Sequence, residues 1–232
     1  MTAQNKRLTI AVLGGAGKEG GGLALRWANA GHRVVIGSRS AERAQEAADE
    51  INAALGRADS SAAGAASGAD NKSAAQQAEL VVLAVPFSAQ RALAEEVREH
   101  LHGKILIDVT VPLVPPKVSR VQLPENGSAV EAIQKLLGAD VRVVSAFQNI
   151  SAHHLKDLDH TIDCDVLVCA DDSDAGEQVV GLAREIGLGA WYGGALCNSV
   201  VAEALTSVLI ALNRRYKVPD AGIRITGLPQ PE

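Results

Sequence analysis

The sequence predicts an α/β protein with a doubly wound parallel sheet and a smaller C-terminal α/β domain. Short runs rich in Val, Ile and Leu alternate with helical segments along the chain, which is typical of such a sheet. Hydrophobic residues make up 47% of the chain and aromatic residues only 3%, so the core is aliphatic, as in a sheet buried between helices. A glycine-rich turn follows the first apolar run and opens the first helix. Together these observations predict a Rossmann-type fold.

Local signals bound the elements of the first half of the chain. Gly31 stands where a C-cap would end the first helix, and Ser40 is placed to cap the second. Pro86 stops the third strand, and Ser128 with Glu131 has the pattern of a capping box. The predicted strands are residues 8–13, 33–37, 79–85, 104–109 and 141–146. The predicted helices are residues 17–30, 41–55, 71–78, 88–100 and 128–137.

Two segments of the first half lack a regular pattern. Residues 56–69 are rich in Ala, Gly and Ser, which predicts a loop or a poor edge strand within a loop. Residues 110–127 contain four prolines, so we expect a long irregular connection that crosses the surface.

The pattern changes near residue 148, and we expect a larger domain over residues 1–150 and a smaller one over residues 151–232. The predicted elements of the smaller domain are a strand at 165–170, a helix at 174–186, a weak strand at 189–192 and a helix at 198–216. The last helix has more apolar surface than a small domain easily covers, so we expect a homodimer.

Charge and cysteine content narrow the functional classes. The formal net charge of −5 argues against general nucleic-acid binding, which needs a basic surface. The three cysteines are scattered, without zinc-like spacing, as expected for reduced thiols in the cytoplasm. The N-terminus shows no signal-peptide pattern. Glu203 and Thr206 interrupt the apolar run at residues 200–212, so we expect no membrane span there.

The His and Asp pairs of the second half are interpreted as structural. His153 and His154 are adjacent, and adjacent side chains point apart on a regular element. Asp157 and Asp159 stand among turn residues and are interpreted as solvated. The sequence therefore indicates no metal site and no catalytic acid–base pair.

The segment from Gly15 to Gly20 indicates a dinucleotide site, because its glycine spacing falls between a predicted strand and a predicted helix. Gly15 permits the tight turn, Gly17 lets the backbone approach a pyrophosphate, and Gly20 lets the helix pack on the strand. The helix N-terminus then offers free N–H groups to the phosphates. A plain strand–helix turn is the alternative.

The end of the second strand indicates which nucleotide is bound. A site for NAD usually carries Asp or Glu there for the ribose 2′-hydroxyl, whereas this chain has Ser38 and Arg39, with Arg43 one helical turn later. These side chains can hold a 2′-phosphate by charge-assisted hydrogen bonds, which favours NADP. Alternatively, both arginines are solvated and Glu42 pairs with one of them.

Two further segments follow strands at the edge where open α/β sheets bind ligands. They are residues 84–87, whose backbone can lie under a nicotinamide ribose, and residues 108–110. The alternative for both is an ordinary strand end.

The chain resembles the F420-dependent NADP oxidoreductases, and its ending resembles their bacterial branch. The resemblance is carried by residues 13–40 with the glycine turn, 145–153 (SAFQNISAH), 165–173 and 197–229 (with NRRY and AGIRITG). It implies hydride transfer between NADP(H) and coenzyme F420, a deazaflavin. The hydride passes directly from the nicotinamide C4 to the deazaflavin C5, so the resemblance implies no catalytic side chain.

The resemblance also implies a set of contacts. Those with the pyrophosphate come from Ala16, Gly17, Lys18 and Glu19, those with the 2′-phosphate from Ser38, Arg39 and Arg43, and those near the nicotinamide from Val85, Pro86 and Ala152. The deazaflavin would lie against Gln148, Ile150, Ala152 and Asn198. The family places His where this chain has Gln148, and glutamine can still hydrogen-bond a ring carbonyl or N–H.

Two other functions stay open at this point. The acceptor of an NADPH-dependent reductase could be a flavin, a metal chelate or an imine. A non-catalytic NADP sensor, whose second half binds a protein partner, is the alternative from another functional class.

Overall fold

The computed structural model describes residues 7–57, 64–125 and 127–228. The strands are β1 (Thr9–Leu13), β2 (Arg33–Ser38), β3 (Ala66–Asp70), β4 (Leu80–Leu83), β5 (Ile105–Asp108), β6 (Arg142–Ser145), β7 (Asp165–Ala170) and β8 (Gly189–Tyr192). The helices are α1 (Lys18–Asn29), α2 (Ala41–Ala54), α3 (Asn71–Gln77), α4 (Phe87–Val97), α5 (Ala129–Leu137), α6 (Ser173–Glu185) and α7 (Ser199–Tyr216). Short 3-10 helices lie at Arg98–His100 and Leu196–Asn198.

The strands form one eight-stranded sheet in the order β3-β2-β1-β4-β5-β6-β7-β8. All pairs from β3 to β6 are parallel, and the chain winds outward from β1 in both directions. The predicted doubly wound α/β fold is therefore confirmed. The predicted caps of α2 and α5 are also confirmed, because Ser40 accepts a hydrogen bond from the Arg43 N–H and Ser128 forms a capping box with Glu131.

β3 is the edge strand in the Ala-, Gly- and Ser-rich segment, of which residues 58–63 lie outside the described part of the chain. The Asn52 amide holds β3 against α2, since it donates to the Ala66 carbonyl at 2.9 Å and accepts from the Ala66 N–H at 2.8 Å. A Cβ on Gly68 would lie 2.2 Å from the backbone nitrogen of Gln45. The small residues that make this strand hard to predict are thus needed for close packing under α2.

The sheet continues across the predicted domain boundary at residues 150 and 151, which lies in the connection between β6 and β7. β7 pairs with β6 in antiparallel register, with Val144 opposite Ala170, and β8 is parallel to β7. One hydrophobic cluster extends from Leu8 to Ala190 and includes residues of both halves. The division into two domains stays a prediction, and the two halves share a sheet and a core.

The prediction of the last helix at residues 198–216 is confirmed by α7 (Ser199–Tyr216). Together with the preceding 3-10 turn this helix covers Leu196–Tyr216, 21 residues that by length and composition alone are enough to cross a membrane. The expectation of no membrane span stays a prediction, because a core helix of a soluble protein can be equally long and apolar. Inside the fold, the Glu203 carboxylate of this helix is buried and accepts hydrogen bonds from the Ala129 and Val130 N–H groups at the start of α5.

Three consecutive glycines let α1 approach its neighbours closely. A Cβ on Gly20 would lie 2.9 Å from the Gly14 carbonyl oxygen, and one on Gly22 would lie 2.4 Å from the Leu155 Cβ. Each glycine inside a helix costs about 0.5–1 kcal/mol relative to alanine. This cost is offset by the contact between α1 and the segment after β6, which contains Ala152.

Replacing Gly22 by alanine should destabilise the protein by about 1–3 kcal/mol, because the new methyl group overlaps Leu155. The matched control is Gly181→Ala inside α6, where a new Cβ meets no atom within 4 Å. That variant should be more stable by about 0.5–1 kcal/mol. Urea unfolding measures both, and equal effects on the two variants would contradict this account of α1 packing.

The segment after β6 is also tied to α1 by the buried guanidinium of Arg26. Its Nε donates to the Leu155 carbonyl at 2.9 Å, and its Nη1 donates to the Ile186 carbonyl at 3.4 Å. Its Nη2 donates to the carbonyls of His154, Asp157 and His160 at 3.2, 2.6 and 3.2 Å. Desolvation by burial lowers the pKa of Arg26, while the nearby Asp157 acts in the opposite direction. One side chain therefore positions a whole irregular segment.

Candidate functional site

A cavity of about 800 Å³ lies at the carboxyl edge of the parallel strands. It is bounded by the first turn of α1, by the segments that follow β4, β5 and β6, and by one side of α7. Both halves of the chain therefore contribute to its wall. This is the position where doubly wound sheets bind ligands.

The first turn of α1 is built to receive an anion. Gly17 is the N-cap residue in extended conformation, and no side chain caps the helix. The N–H groups of the first turn, including those of Lys18 and Glu19, are therefore left for a ligand. Among the predicted contacts, Gly17, Lys18 and Glu19 line the cavity, Ala16 is exposed beside it, and Gly15 is buried beneath the turn.

The tight turn itself depends on a glycine that the sequence argument assigned differently. Gly14, not Gly15, has the left-handed φ of 85°, and a Cβ on it would lie 2.2 Å from the Ala84 carbonyl oxygen. Gly15 is required for another reason, since a Cβ there would lie 2.9 Å from both the Val12 oxygen and the Ile36 side chain. The four glycines at positions 14, 15, 17 and 20 thus keep the turn free of side chains, so that a pyrophosphate can approach its backbone.

Glu19 lines the cavity and is half-buried. Burial raises the pKa of its carboxyl to about 8.

Ser38 ends β2, Arg39 follows it, and Arg43 lies in the first turn of α2, all outside the wall of the cavity. The Gly14 N–H donates to the Gly37 carbonyl at 3.0 Å, so this strand end is directly beside the glycine turn. The Ser40 hydroxyl donates to the Glu42 carboxylate at 2.6 Å. Within the described residues neither arginine forms an ion pair, so the alternative in which Glu42 pairs with one of them is not observed. Both exposed guanidinium groups are available to a 2′-phosphate.

The opposite wall contains the residues predicted near the reactive rings. Val85 and Pro86 follow β4, and Gln148, Ile150 and Ala152 follow β6. The structure brings these five residues into one cavity with the first turn of α1.

Gln148 is held in a defined orientation. Its Nε2 donates to the Asp108 carbonyl at 2.7 Å, and its own carbonyl accepts from the Thr206 hydroxyl at 2.7 Å. Its side-chain oxygen Oε1 is buried and has no hydrogen-bond partner in the described structure. A buried acceptor without a partner costs free energy, so this oxygen is suited to an N–H donor from a ligand.

Asp108 lies beneath this wall and is held by hydrogen bonds of its own. Its Oδ2 accepts from the Gln90 amide at 2.6 Å and its Oδ1 from the Thr110 N–H at 2.9 Å. Burial raises the pKa of Asp108 to about 6, and these hydrogen bonds oppose the shift. Asp108 thus fixes the end of β5, and its side chain faces the core.

One predicted contact lies elsewhere. Asn198 is not part of the cavity wall, and its amide donates to the Gly193 carbonyl at 2.8 Å. Its predicted contact with a deazaflavin stays a prediction that this conformation does not support.

Part of the cavity wall comes from segments that the sequence did not indicate. Residues 110–127 were expected to cross the surface, but Val111, Leu113 and Val118 of this segment line the cavity. Thr206 and Ile210 of α7 complete it. The apolar side chains between the prolines could have indicated that this segment is partly buried, because a fully exposed connection is usually polar.

Comparison with known proteins identifies the family. Residues 9–112 match the family model described as NADP oxidoreductase, coenzyme F420-dependent. The F420-dependent NADP reductase of Methanothermobacter thermautotrophicus is 43% identical over 230 residues, which are 97% of either chain. The F420-dependent NADP reductase of Methanocaldococcus jannaschii is 40% identical over 225 residues, covering 95% of this chain and 99% of its own.

A solved structure agrees with these relatives. A candidate F420-dependent NADP-reductase from Arthrobacter sp. FB24 superimposes with a TM-score of 0.78 at 26% identity, covering 94% of this chain and 99% of that chain. The relatives at 40% identity and above are archaeal, so assignment to the bacterial branch stays a prediction. Similarity of this degree over almost the whole length means that the chain belongs to the family of coenzyme F420-dependent NADP oxidoreductases.

Proposed function

We propose that this protein transfers a hydride between NADP(H) and coenzyme F420. The observation that carries the proposal is that the first turn of α1 and the segment after β6 line one cavity. The relatives named F420-dependent NADP reductase match 97% and 95% of this chain, which includes the C-terminal half that completes the cavity.

The residues of the chain bind and orient. The N–H groups of Lys18 and Glu19 would hold the pyrophosphate, and Arg39 with Arg43 would hold the 2′-phosphate. Apolar side chains such as Ile150 and Leu209 exclude water from the reacting centre. When bound, NADPH supplies the hydride and F420 accepts it. The hydride leaves negative charge on the reduced deazaflavin ring, which a proton from water neutralises, so the protein's contribution is the placement of two rings in contact.

Mixing the purified protein with NADPH and F420 and following the visible absorbance of the deazaflavin tests the proposal. We expect the absorbance to fall with multiple turnovers. Turnover with a flavin, a metal chelate or an imine, but not with F420, would favour a different acceptor. Binding of NADPH without turnover of any of these would favour the sensor.

We also propose that the protein is a homodimer in the cytoplasm. Val201, Val208 and Leu212 of α7 are 57%, 46% and 38% exposed and recur at helical spacing, so they form an apolar stripe suited to a second copy. The described cysteines are free thiols, as expected in a reducing compartment. Light scattering at micromolar concentration should give twice the chain mass of 24.1 kDa, and a monomeric mass would refute the dimer.

A further inference from the structure

The segment after β6 gathers metal-binding side chains away from the main cavity. The ligand atoms of His154, Asp157 and His160 all lie within 4.8 Å of one another. The carboxylate of Asp220 is close by, with its Oδ2 at 3.3 Å from the His154 Nε2. His154, His160 and Asp220 line a second cavity of about 330 Å³.

The backbone positions of these three residues are fixed by one group. Nη2 of the buried Arg26 donates to the carbonyl oxygens of His154, Asp157 and His160. Because Arg26 belongs to α1, these positions are anchored to a helix of the core. The three ligands, which stand three positions apart in the sequence, are therefore held on a rigid backbone, as a metal site requires.

We propose that His154, Asp157 and His160 bind a divalent transition-metal ion such as Zn²⁺, with Asp220 or water in the fourth position. Two imidazoles and a carboxylate form a ligand set that Zn²⁺, Co²⁺ and Ni²⁺ accept. The carboxylates of Asp157 and Asp220 offset the positive charge of the ion beside Arg26.

The geometry requires only a small closure. Zn²⁺ with ligand distances of about 2.0–2.2 Å needs donor atoms about 3.4 Å apart in tetrahedral coordination. The ligand atoms of the cluster lie up to 4.8 Å apart, so the widest of these distances has to shorten by about 1.4 Å. The rings of His154 and His160 are stacked with centroids 3.8 Å apart, so rotation of the two half-buried rings can direct their nitrogens to one point.

The site has a structural role with a consequence for the main cavity. His154 follows Ala152 by two residues, and Ser151 and Ala221 line both cavities. A bound ion would link the two halves of this segment and stabilise the wall that contains Gln148 and Ala152. The proposed site departs from the interpretation of His154 as structural and of Asp157 as solvated, and His153 lies outside the cluster.

Titration of the metal-free protein with Zn²⁺ in a calorimeter tests the proposal, with Co²⁺ absorption spectra to report the ligand geometry. We expect one ion per chain and a rise in melting temperature with Zn²⁺. Asp157→Asn and His160→Ala should weaken binding by about a hundredfold or more, since loss of outer-shell groups alone costs about 10–100-fold. Asp157 is exposed, so its variant should fold normally.

Two control variants make the test specific. His153→Ala removes the adjacent imidazole that the cluster does not use, and Cys197→Ser removes the exposed thiol. Both should bind Zn²⁺ as the unmodified protein does. The proposal is overturned if the unmodified protein takes up no ion, or if Asp157→Asn and His160→Ala bind Zn²⁺ as tightly as the controls.

Discussion

Arg39→Ala should weaken NADPH binding by about tenfold to a hundredfold and leave NADH binding unchanged. A hydrogen bond to a charged group contributes about 1.5–3 kcal/mol, and about 1.4 kcal/mol corresponds to a factor of ten. NADH has no 2′-phosphate, so its complex loses nothing when the guanidinium is removed. Fluorescence titration of both nucleotides measures the change, and the double variant with Arg43→Ala should show a larger loss for NADPH alone.

The matched control for this prediction is Arg33→Ala. Arg33 is an exposed arginine at the start of β2, the strand that precedes Arg39, so it lies at the opposite end of β2 from the glycine turn. Its removal changes the net charge of the protein equally and should leave the affinity for both nucleotides unchanged. An equal loss of NADPH affinity in both variants would mean that only long-range electrostatic attraction is involved. Equal affinity of the unmodified protein for NADPH and NADH would also contradict the assignment.

Arg26→Met should destabilise the protein by about 3–5 kcal/mol, the largest effect that we expect from a single substitution. Methionine fills much of the same volume but donates no hydrogen bond. Five carbonyl groups that now accept from the guanidinium would lose this partner, among them that of Leu155 at 2.9 Å. Buried acceptors without partners are costly, and the segment after β6 would lose its attachment to α1.

Urea unfolding of Arg26→Met should be compared with that of Arg91→Met. Arg91 is exposed on α4 and forms an ion pair with Glu95 at 3.0 Å, which is worth about 0–1 kcal/mol. A loss in Arg26→Met no greater than that of this control would show that water readily replaces the guanidinium. The segment would then be held by other contacts, and the anchoring of the proposed metal site would need another basis.

The parts of the fold that local signals determine were predictable from the sequence. The unit formed by β1, α1 and β2 follows from an apolar run, a glycine turn and a cap, which all act within a few residues. The candidate phosphate contacts follow from the same unit, because the strand end at Ser38 has to lie beside the turn. That is why Gly17, Ser38 and Arg39 could be named before the structure was known.

The rest depends on contacts between distant parts of the chain. The sequence does not show that β7 adds to β6 in antiparallel register, since pairing of strands across a long connection is a tertiary property. Nor does it show that Val111 and Thr206 meet at one cavity. The cluster of His154 and His160 was missed for the same reason, because an irregular segment anchored by Arg26 brings together side chains that a regular element would separate.

The most direct test of the central claim, that both rings meet in one cavity, is a single-turnover reaction with NADPH deuterated at C4 of the nicotinamide. Each of the two C4 diastereomers is mixed with protein and F420, and the reduced deazaflavin is analysed by mass spectrometry. We expect one diastereomer to transfer its deuterium to C5 without loss to solvent, and the other to retain it. Reduced F420 that carries hydrogen from water with both diastereomers would contradict direct transfer between rings in contact.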